Sequence, residues 1–489
     1  MASGLWRATI FVHRYLGVAV GLLMLVWFAS GIVMMYVPYP ELTNRDRLAL
    51  AAPIAWDKCC VFAAPPADDD PIRAARIQSM AGEPVLFLRP EGRPEKLTSL
   101  TGPSLDIDDA KARAVALDAA PRIMSKPAPL LTSELIERDQ WTVGDAGAGN
   151  RPLYRFVFDD SQRTNIYVSS TTGEVALWTT ASQRFWNWFG AVPHWLYFTE
   201  LRKNGPVWAQ IVIYTSLVGS FLTVLGLYLG IMQFKRGSSG RISPYRDWFY
   251  WHHIAGLVFG VVTLTWVISG MLSMNPWGLL EGGGGEERVR LAGEPPAWSK
   301  VRQSIEAIRA NPPSGVVRFS SAPFEGKLFW LAAKTDGSIA RLDAQGSPAP
   351  LSEAEVAQAA KRLAGERPIA SAGMMAAEDP YYFDFSIAER SDPPPLPVYR
   401  MILNDSEQTR FYFHPNTGQL LRVVDSNARG QRWLFNGLHR FDFAQWLRAR
   451  PLWDIIVLVL MLGGLAVSST GVWLALKRIK RDLTFRRAG

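Results

Sequence analysis

Residues 10–37 read IFVHRYLGVAVGLLMLVWFASGIVMMYV, and residues 249–276 read FYWHHIAGLVFGVVTLTWVISGMLSMNP. Laid one over the other without a gap, at an offset of 239 residues, His13 falls on His252, Gly17 on Gly256 and Gly21 on Gly260. Trp27 falls on Trp266, Ser30 on Ser269, Gly31 on Gly270 and Met35 on Met274. Shared apolarity alone would not align a histidine, a tryptophan and three glycines. A second offset, of 245 residues, brings Tyr154-Arg155 onto Tyr399-Arg400, Tyr167 onto Tyr412, Thr172-Gly173 onto Thr417-Gly418 and His194 onto His439. It continues through Pro206 and Pro451, Trp208 and Trp453, Gly219 and Gly464, and Gly226 and Gly471. Self-similarity of this kind decides the architecture before any local reading does. The chain reads as a tandem duplication in one orientation, because each unit holds two apolar spans.

Four stretches, 10–37, 207–234, 249–275 and 452–476, are long enough to cross a hydrocarbon core, which needs about 20 apolar residues. A cleavable signal peptide has an apolar core of about 7–15 residues. The run from Tyr15 to Val37 is longer, and no small-x-small site follows it directly, so the first span is expected to stay. Lys235, Arg236, Arg241 and Arg246 lie between the second and third spans, and Lys477, Arg478, Lys480, Arg481, Arg486 and Arg487 follow the fourth. Basic residues beside spans mark the cytoplasmic side. Both termini are therefore expected inside, with the two long segments outside the inner (cytoplasmic) membrane of a bacterium. The net charge of +8 is largely this topological signal and does not point to nucleic acid. Membrane lipid is the expected surrounding.

The boundaries that follow are 1–37 for the N-terminus and first span, 38–183 for a first periplasmic domain, and 184–234 for a histidine-bearing segment with the second span. Next come 235–247 as a cytoplasmic loop, 248–275 as the third span and 276–430 as a second periplasmic domain. Residues 431–477 form a histidine-bearing segment with the fourth span, and 478–489 a cytoplasmic tail. Each outer domain is expected to be a small α+β module. Residues 106–120 and 352–364 read as helices, from an Asp or Ser cap followed by acids and alanine-rich turns. Residues 153–159 and 165–169 alternate like strands, joined by a hairpin link containing Ser161. The turns Thr172-Gly173-Glu174 and Thr417-Gly418-Gln419 end outer strands, and 282–285 and 393–395 are loops.

Only two cysteines occur, adjacent at Cys59 and Cys60. With no C-x-x-C-H there is no c-type haem attachment, and a vicinal disulfide and two unpaired thiols are both open. The chemistry falls to six histidines: His13, His194, His252, His253, His414 and His439. A lone histidine at a membrane edge is usually just hydrogen-bonded, but four of these form two offset-related pairs. An ionisable residue in a span is costly and faces an interior site. His13, Gly17 and Gly21 share one helix face, as do His252, Gly256 and Gly260. Glycines along the ligand's own stripe clear a flat slot beside the imidazole, although small residues also serve close helix packing. Paired imidazoles are a common way to fill both axial positions of haem iron for electron transfer. One b-type haem is thus expected on His13 and His252, and a second on His194 and His439. His253 points roughly 100° from His252 and is kept as an alternative ligand or a propionate contact. His414 reads as an ordinary surface residue. Trp186, Trp188, Trp195, Tyr197, Trp433 and Phe441 crowd the outer sites as an interfacial belt or as haem walls. Arg202, Lys203, Arg440, Arg448 and Arg450 would either snorkel or meet propionates or an anionic ligand.

These features together resemble the PepSY-associated transmembrane family, which includes inner-membrane siderophore reductases. The resemblance rests on the His13-x-x-x-Gly17 and His252-His253-x-x-Gly256 starts, the Thr-Gly turns, and His194 and His439. It implies a membrane protein with four transmembrane helices and two periplasmic PepSY-like domains. It also implies that electrons pass through two b haems to a ferric siderophore, releasing iron. Strand-like stretches at 84–88 and 327–332 exceed a minimal PepSY module.

On that reading the reaction is outer-sphere electron transfer, with no acid, base or nucleophile. No nucleotide-binding glycine fingerprint follows a strand, so the donor is expected to be a quinol or a separate cytoplasmic reductase. The acceptor is a ferric siderophore or another periplasmic electron acceptor. A rival reading is a membrane-tethered PepSY module that binds peptides or restrains a protease, with structural histidines and no colour. A transporter would want broken helices and polar mid-span residues, and the spans offer little beyond Ser and Thr.

Overall fold

The computed structural model describes residues 2–62, 65–102, 105–144, 149–234, 242–383 and 393–487. Lys235, Arg236 and Arg241, which carry much of the expected loop charge, lie outside the described residues. The chain divides into two compact units, one built from 1–39, 182–281 and 427–489, the other from 40–181 and 282–426.

Among its described residues the first unit holds four helices long and apolar enough to cross a membrane: α1 (Ala2–Met34), α2 (Gly205–Gln233), α3 (Asp247–Ser273) and α4 (Leu452–Arg487). Asn204 caps α2, its side chain accepting from the Val207 N–H at 3.3 Å, with Pro206 in the first turn where no N–H is missed. The expected tail after residue 477 is helical, since α4 continues to Arg487. Both α1 and α3 pack chiefly on α2 and α4. Each of the two histidine-bearing spans is thus flanked by the two that lack one.

Two short histidine-bearing segments also belong to this unit. Ala191–His194 precedes α2, and Leu438–Arg440 precedes α4. Two residues beyond each histidine the backbone turns left-handed, at Leu196 (φ 53°) and Phe441 (φ 55°), positions 245 apart. Indole N–H groups then tie each segment to the span it leads into. Trp208 donates to the Trp195 carbonyl at 2.7 Å, and Trp453 to the Arg440 carbonyl at 2.8 Å. Buried indoles find a polar partner in this way.

Among its described residues, the second unit contains three antiparallel sheets. One has β4 (Leu130–Ile136), β5 (Leu153–Phe158), β6 (Asn165–Ser169) and β7 (Val175–Thr179) in sequence order. Its helix, Asp109–Ile123, is capped by Asp108 and buries Ala112, Val115 and Ala116 against Phe156, Phe158 and Ile166. A second has β11 (Ile369–Met375), β12 (Val398–Leu403), β13 (Arg410–Phe413) and β14 (Leu420–Val424). The helix Glu353–Ala364 packs on it, opened by a capping box between Ser352 and Glu355. The two helices and strands β5 and β6 lie within a few residues of the positions expected from sequence.

The third sheet differs from expectation. Its six strands run β10-β9-β8-β1-β2-β3, with β1 (Ile72–Met80), β2 (Glu83–Pro90) and β3 (Lys96–Ser99) from one half of the chain. β8 (Val316–Ser321), β9 (Trp330–Lys334) and β10 (Ile339–Leu342) come from the other. The join is the β1–β8 ladder, where Ile77 stands opposite Phe319. Separate domains at 38–183 and 276–430 therefore do not describe this unit: the strand-like stretches near 84–88 and 327–332 form a sheet shared by both. Ile77, Phe319, Trp298 and Trp330 are fully buried in its core, which a strand pairing between halves makes possible and neither half would provide alone. Cys59 and Cys60 are joined as a vicinal disulfide, with Cys59 in this core.

Candidate functional site

The helical unit brings four histidines into two pairs. His13 of α1 and His252 of α3 stand with ring centres 6.4 Å apart. His194 and His439, from the two short segments, stand with ring centres 6.2 Å apart. Trp27 and Ser30, which touch His194, lie 14 and 17 residues beyond His13. At about 1.5 Å per residue the pairs are separated by roughly 20–25 Å along the bundle.

Hydrogen bonding sets the tautomer of each ring. His13 Nδ1 lies 3.2 Å from the Leu222 carbonyl, His194 Nδ1 3.1 Å from that of Trp27, and His439 Nδ1 3.2 Å from that of Trp266. A carbonyl only accepts, so Nδ1 carries the proton in each. His252 Nδ1 lies 3.0 Å from Thr470 Oγ1, whose own hydrogen is taken up by the Ala466 and Val467 carbonyls. The same logic applies there. In neutral imidazole this leaves Nε2 as the lone-pair nitrogen in all four. Ser30 and Ser269 hydroxyls add contacts of 3.1 Å to Nδ1 of His194 and His439. A metal-ligating histidine is held in this manner, with its second nitrogen donating to a carbonyl or hydroxyl.

The spacing also fits a shared ion. With metal–imidazole bonds of about 2.0–2.1 Å, and a ring centre about 1.1 Å behind its nitrogen, two trans imidazoles have centres about 6.3 Å apart. Both pairs match that separation. Among the described residues there is no group of three or more His, Cys, Asp or Glu side chains fit to hold a metal ion. A group that brings its own equatorial ligands, as haem does, needs only the two.

Glycines make room for the rings, but not chiefly those expected. A Cβ on Gly226 would stand 2.8 Å from His13 Cε1, and one on Gly471 3.3 Å from His252 Cε1. A Cβ on Gly31 would meet Met461 Cε at 2.5 Å and His194 Cε1 at 3.4 Å, and one on Gly270 would stand 3.3 Å from His439 Cε1. All four were visible as offset pairs in the sequence, yet only the structure shows which histidine each one faces. Of the glycines expected to clear a slot, Gly17 and Gly256 face open space. Gly21 and Gly260 instead meet neighbouring helices: a Cβ would touch Val472 at 3.6 Å and collide with Leu227 at 2.6 Å. Close helix packing accounts for these two.

His253 is not an alternative ligand or a propionate contact in this arrangement. It is buried, with Nδ1 2.8 Å from Ser243 Oγ and Nε2 2.8 Å from the Gly230 carbonyl, so both nitrogens are committed. His414 is more than a surface residue, since its Nδ1 accepts from the Asn416 and Thr417 N–H groups at 3.2 Å and shapes the Thr417-Gly418 turn. Burial lowers its pKa.

Around His194 and His439, Trp186 and Trp188 are exposed, whereas Trp195 and Tyr197 pack together and against Tyr39. The Arg202 guanidinium is buried over the rings of Tyr197 and Trp208. Lys203 pairs with Glu200, Arg448 with Asp442 at 2.6 Å, and Arg450 donates to the Met35 carbonyl at 3.0 Å. Arg440 lies over Phe435, whose ring also stacks on His439. Sequence reading missed Arg432, which is buried and pairs with Asp442 at 3.4 Å. Beside the His194–His439 pair, Phe28 and Trp266 meet at 5.9 Å, and the Trp266 indole donates to the His439 carbonyl at 2.9 Å.

No curated protein matches the chain. Residues 11–335 match the family model described as the PepSY-associated TM region, a match that covers more than half of the sequence and takes in His13, His194 and His252. The chain is a member of the PepSY-associated transmembrane family.

Proposed function

We propose that this membrane protein is a di-haem b oxidoreductase of the bacterial inner membrane, a tandem duplication with cytoplasmic termini and its sheet-rich unit in the periplasm. It passes electrons to a periplasmic acceptor, with a ferric siderophore the substrate that the family suggests. One observation carries the reading: four histidines meet in two pairs at 6.4 and 6.2 Å, each with Nδ1 engaged. Two unrelated structural histidine pairs would have no reason to share both that spacing and that tautomer.

Haem, when bound, would supply one-electron chemistry. His13 and His252 would hold one group, His194 and His439 the other. The Leu222, Trp27 and Trp266 carbonyls and the Thr470 hydroxyl orient the rings and strengthen them as ligands. Reduction of iron(III) weakens its hold on hard oxygen ligands, which is how a siderophore would surrender it.

Absorbance spectra of the purified protein, oxidised and dithionite-reduced, test the proposal. Two low-spin b haems per chain are expected, together with reoxidation by a ferric hydroxamate siderophore. A colourless protein from haem-replete cells would sink the reading in favour of a PepSY binding module.

A further inference from the structure

A cavity of about 450 Å³ lies at the His13–His252 end of the helical unit, lined by Asp247, Trp248, Trp251, Ala255, Ala466 and Thr470. Its wall is apolar and aromatic, with one carboxylate and one hydroxyl, a composition typical of small-molecule sites. Thr470 is also the residue that holds His252 Nδ1 at 3.0 Å. The cavity therefore ends on a side chain that touches a ligand histidine.

The offset between the halves provides an independent observation. At the matching positions of the other half stand Ala8, Thr9, Val12, Leu16, Phe221 and Leu225. Every lining residue departs from its counterpart. Ala255 and Ala466 replace larger Leu16 and Phe221 and so open the space. Asp247 and Thr470 replace Ala8 and Leu225 and so make it polar at two points. Trp248 and Trp251 replace Thr9 and Val12 with rings that remain 46% and 61% exposed. An ordinary interfacial tryptophan belt explains the rings alone, but not the paired loss of bulk and gain of polarity around them.

We propose that this cavity binds the headgroup of a membrane hydroquinone, the electron donor of the reaction, an assignment that rests on the haem reading above. A hydroquinone ring suits flat indole walls, and its hydroxyls suit the Asp247 carboxylate and the Thr470 oxygen. Its tail leaves through the exposed face between α3 and α4 into lipid. Oxidation to the quinone breaks two O–H bonds and releases two protons and two electrons. Asp247 accepts the first proton, and both protons leave to water. The two electrons would leave singly to the one-electron group that His13 and His252 would hold.

Photolabelling of the full-length protein in quinone-free nanodiscs with a short-chain azido-ubiquinone, competed by decylubiquinone, tests this assignment. Saturable labelling of peptides containing residues 247–255 or 466–470 is expected. Ala255→Leu with Ala466→Phe, which restores the residues of the other half, should cut labelling at least tenfold. Trp251→Val, a single exposed substitution, should cut it severalfold and guards against misfolding of the double variant. Labelling that does not saturate, or that both variants leave unchanged, would overturn the proposal and indicate lipid-like partitioning. Haem is counted in the same preparations. Two haems with no saturable labelling would refute the cavity assignment alone, whereas saturable labelling of a chain that takes up no haem would refute the haem reading and leave the quinone site standing.

Discussion

His194 and His439, 245 residues apart in sequence, stand with ring centres 6.2 Å apart, and each donates its Nδ1–H to the carbonyl of a tryptophan, Trp27 or Trp266. If these two rings hold one haem and His13 and His252 the other, as proposed, His439→Ala should remove one haem per chain and leave the second with its low-spin spectrum intact. Haem counted per polypeptide should fall from two to one, and acceptor reduction should vanish while chemical reduction of the remaining haem persists. Retention of both haems would refute the assigned pairing.

Gly226 provides a test that leaves every proposed ligand in place. A Cβ there would stand 2.8 Å from His13 Cε1, closer than real side chains approach. The ring is held by a single bond to the Leu222 carbonyl and must tilt. Gly226→Ala is expected to convert the haem on His13 and His252 towards a high-spin or depleted state, as read from the Soret band. Gly4→Ala, whose new methyl meets nothing within 4 Å, should change nothing. Equal spectra for the two variants would show that the glycine does not seat the ring.

Thr470 accepts the His252 Nδ1–H at 3.0 Å, and Leu225 stands at the matching position of the other half. Partners of this kind typically change metal affinity about 10–100-fold when removed. Thr470→Val should accordingly speed haem loss to apomyoglobin from the pair containing His252 and leave the other pair unaffected, and Thr470→Ser should restore retention. Equal loss rates for Val and Ser would exclude the hydroxyl as the operative group.

Much of this arrangement was legible in the sequence because it is periodic or repeated. The four spans are long apolar runs, and the histidine pairs follow from two fixed offsets. The caps at Asp108 and Ser352 are local signals that their helices obey. What escaped notice depends on contacts between distant residues. No local pattern tells Ile77 to pair with Phe319, so the six-stranded sheet joining both halves was read as two modules. Gly21 and Gly260 share the histidine face by helical spacing, yet neighbouring side chains, Val472 and Leu227, occupy the space in front of them. Likewise His252 and His253 differ by one residue, and only the positions of Ser243, Gly230 and Thr470 decide which ring is committed elsewhere.

The sheet-rich unit makes its own prediction, independent of any cofactor. Glu174 follows the Thr172-Gly173 turn and takes both guanidinium nitrogens of Arg76, at 2.7 and 3.0 Å, with Gln78 donating at 3.0 Å. Arg76 and Gln78 lie in β1, so the pair ties the six-stranded sheet to the β4–β7 sheet. Burial opposes ionisation of Glu174, but the Arg76 and Gln78 hydrogen bonds and the Arg76 charge prevail and hold its pKa below the ordinary 4.5. A depressed carboxylate pKa stabilises the fold fully above the unfolded value and loses that contribution as pH falls through the folded value. The unit should thus keep this stabilisation above pH 4.5 and lose it progressively in more acid solution. Glu174→Gln keeps the shape, removes the charge and should cost about 2 kcal/mol near neutrality. Its thermal midpoint, followed through the β-sheet circular dichroism signal of the full-length protein, should lie below wild type at pH 7, and the gap should narrow as pH drops below 4.5. A gap that stays constant down to pH 3 would show that the ion pair is not what joins the two sheets.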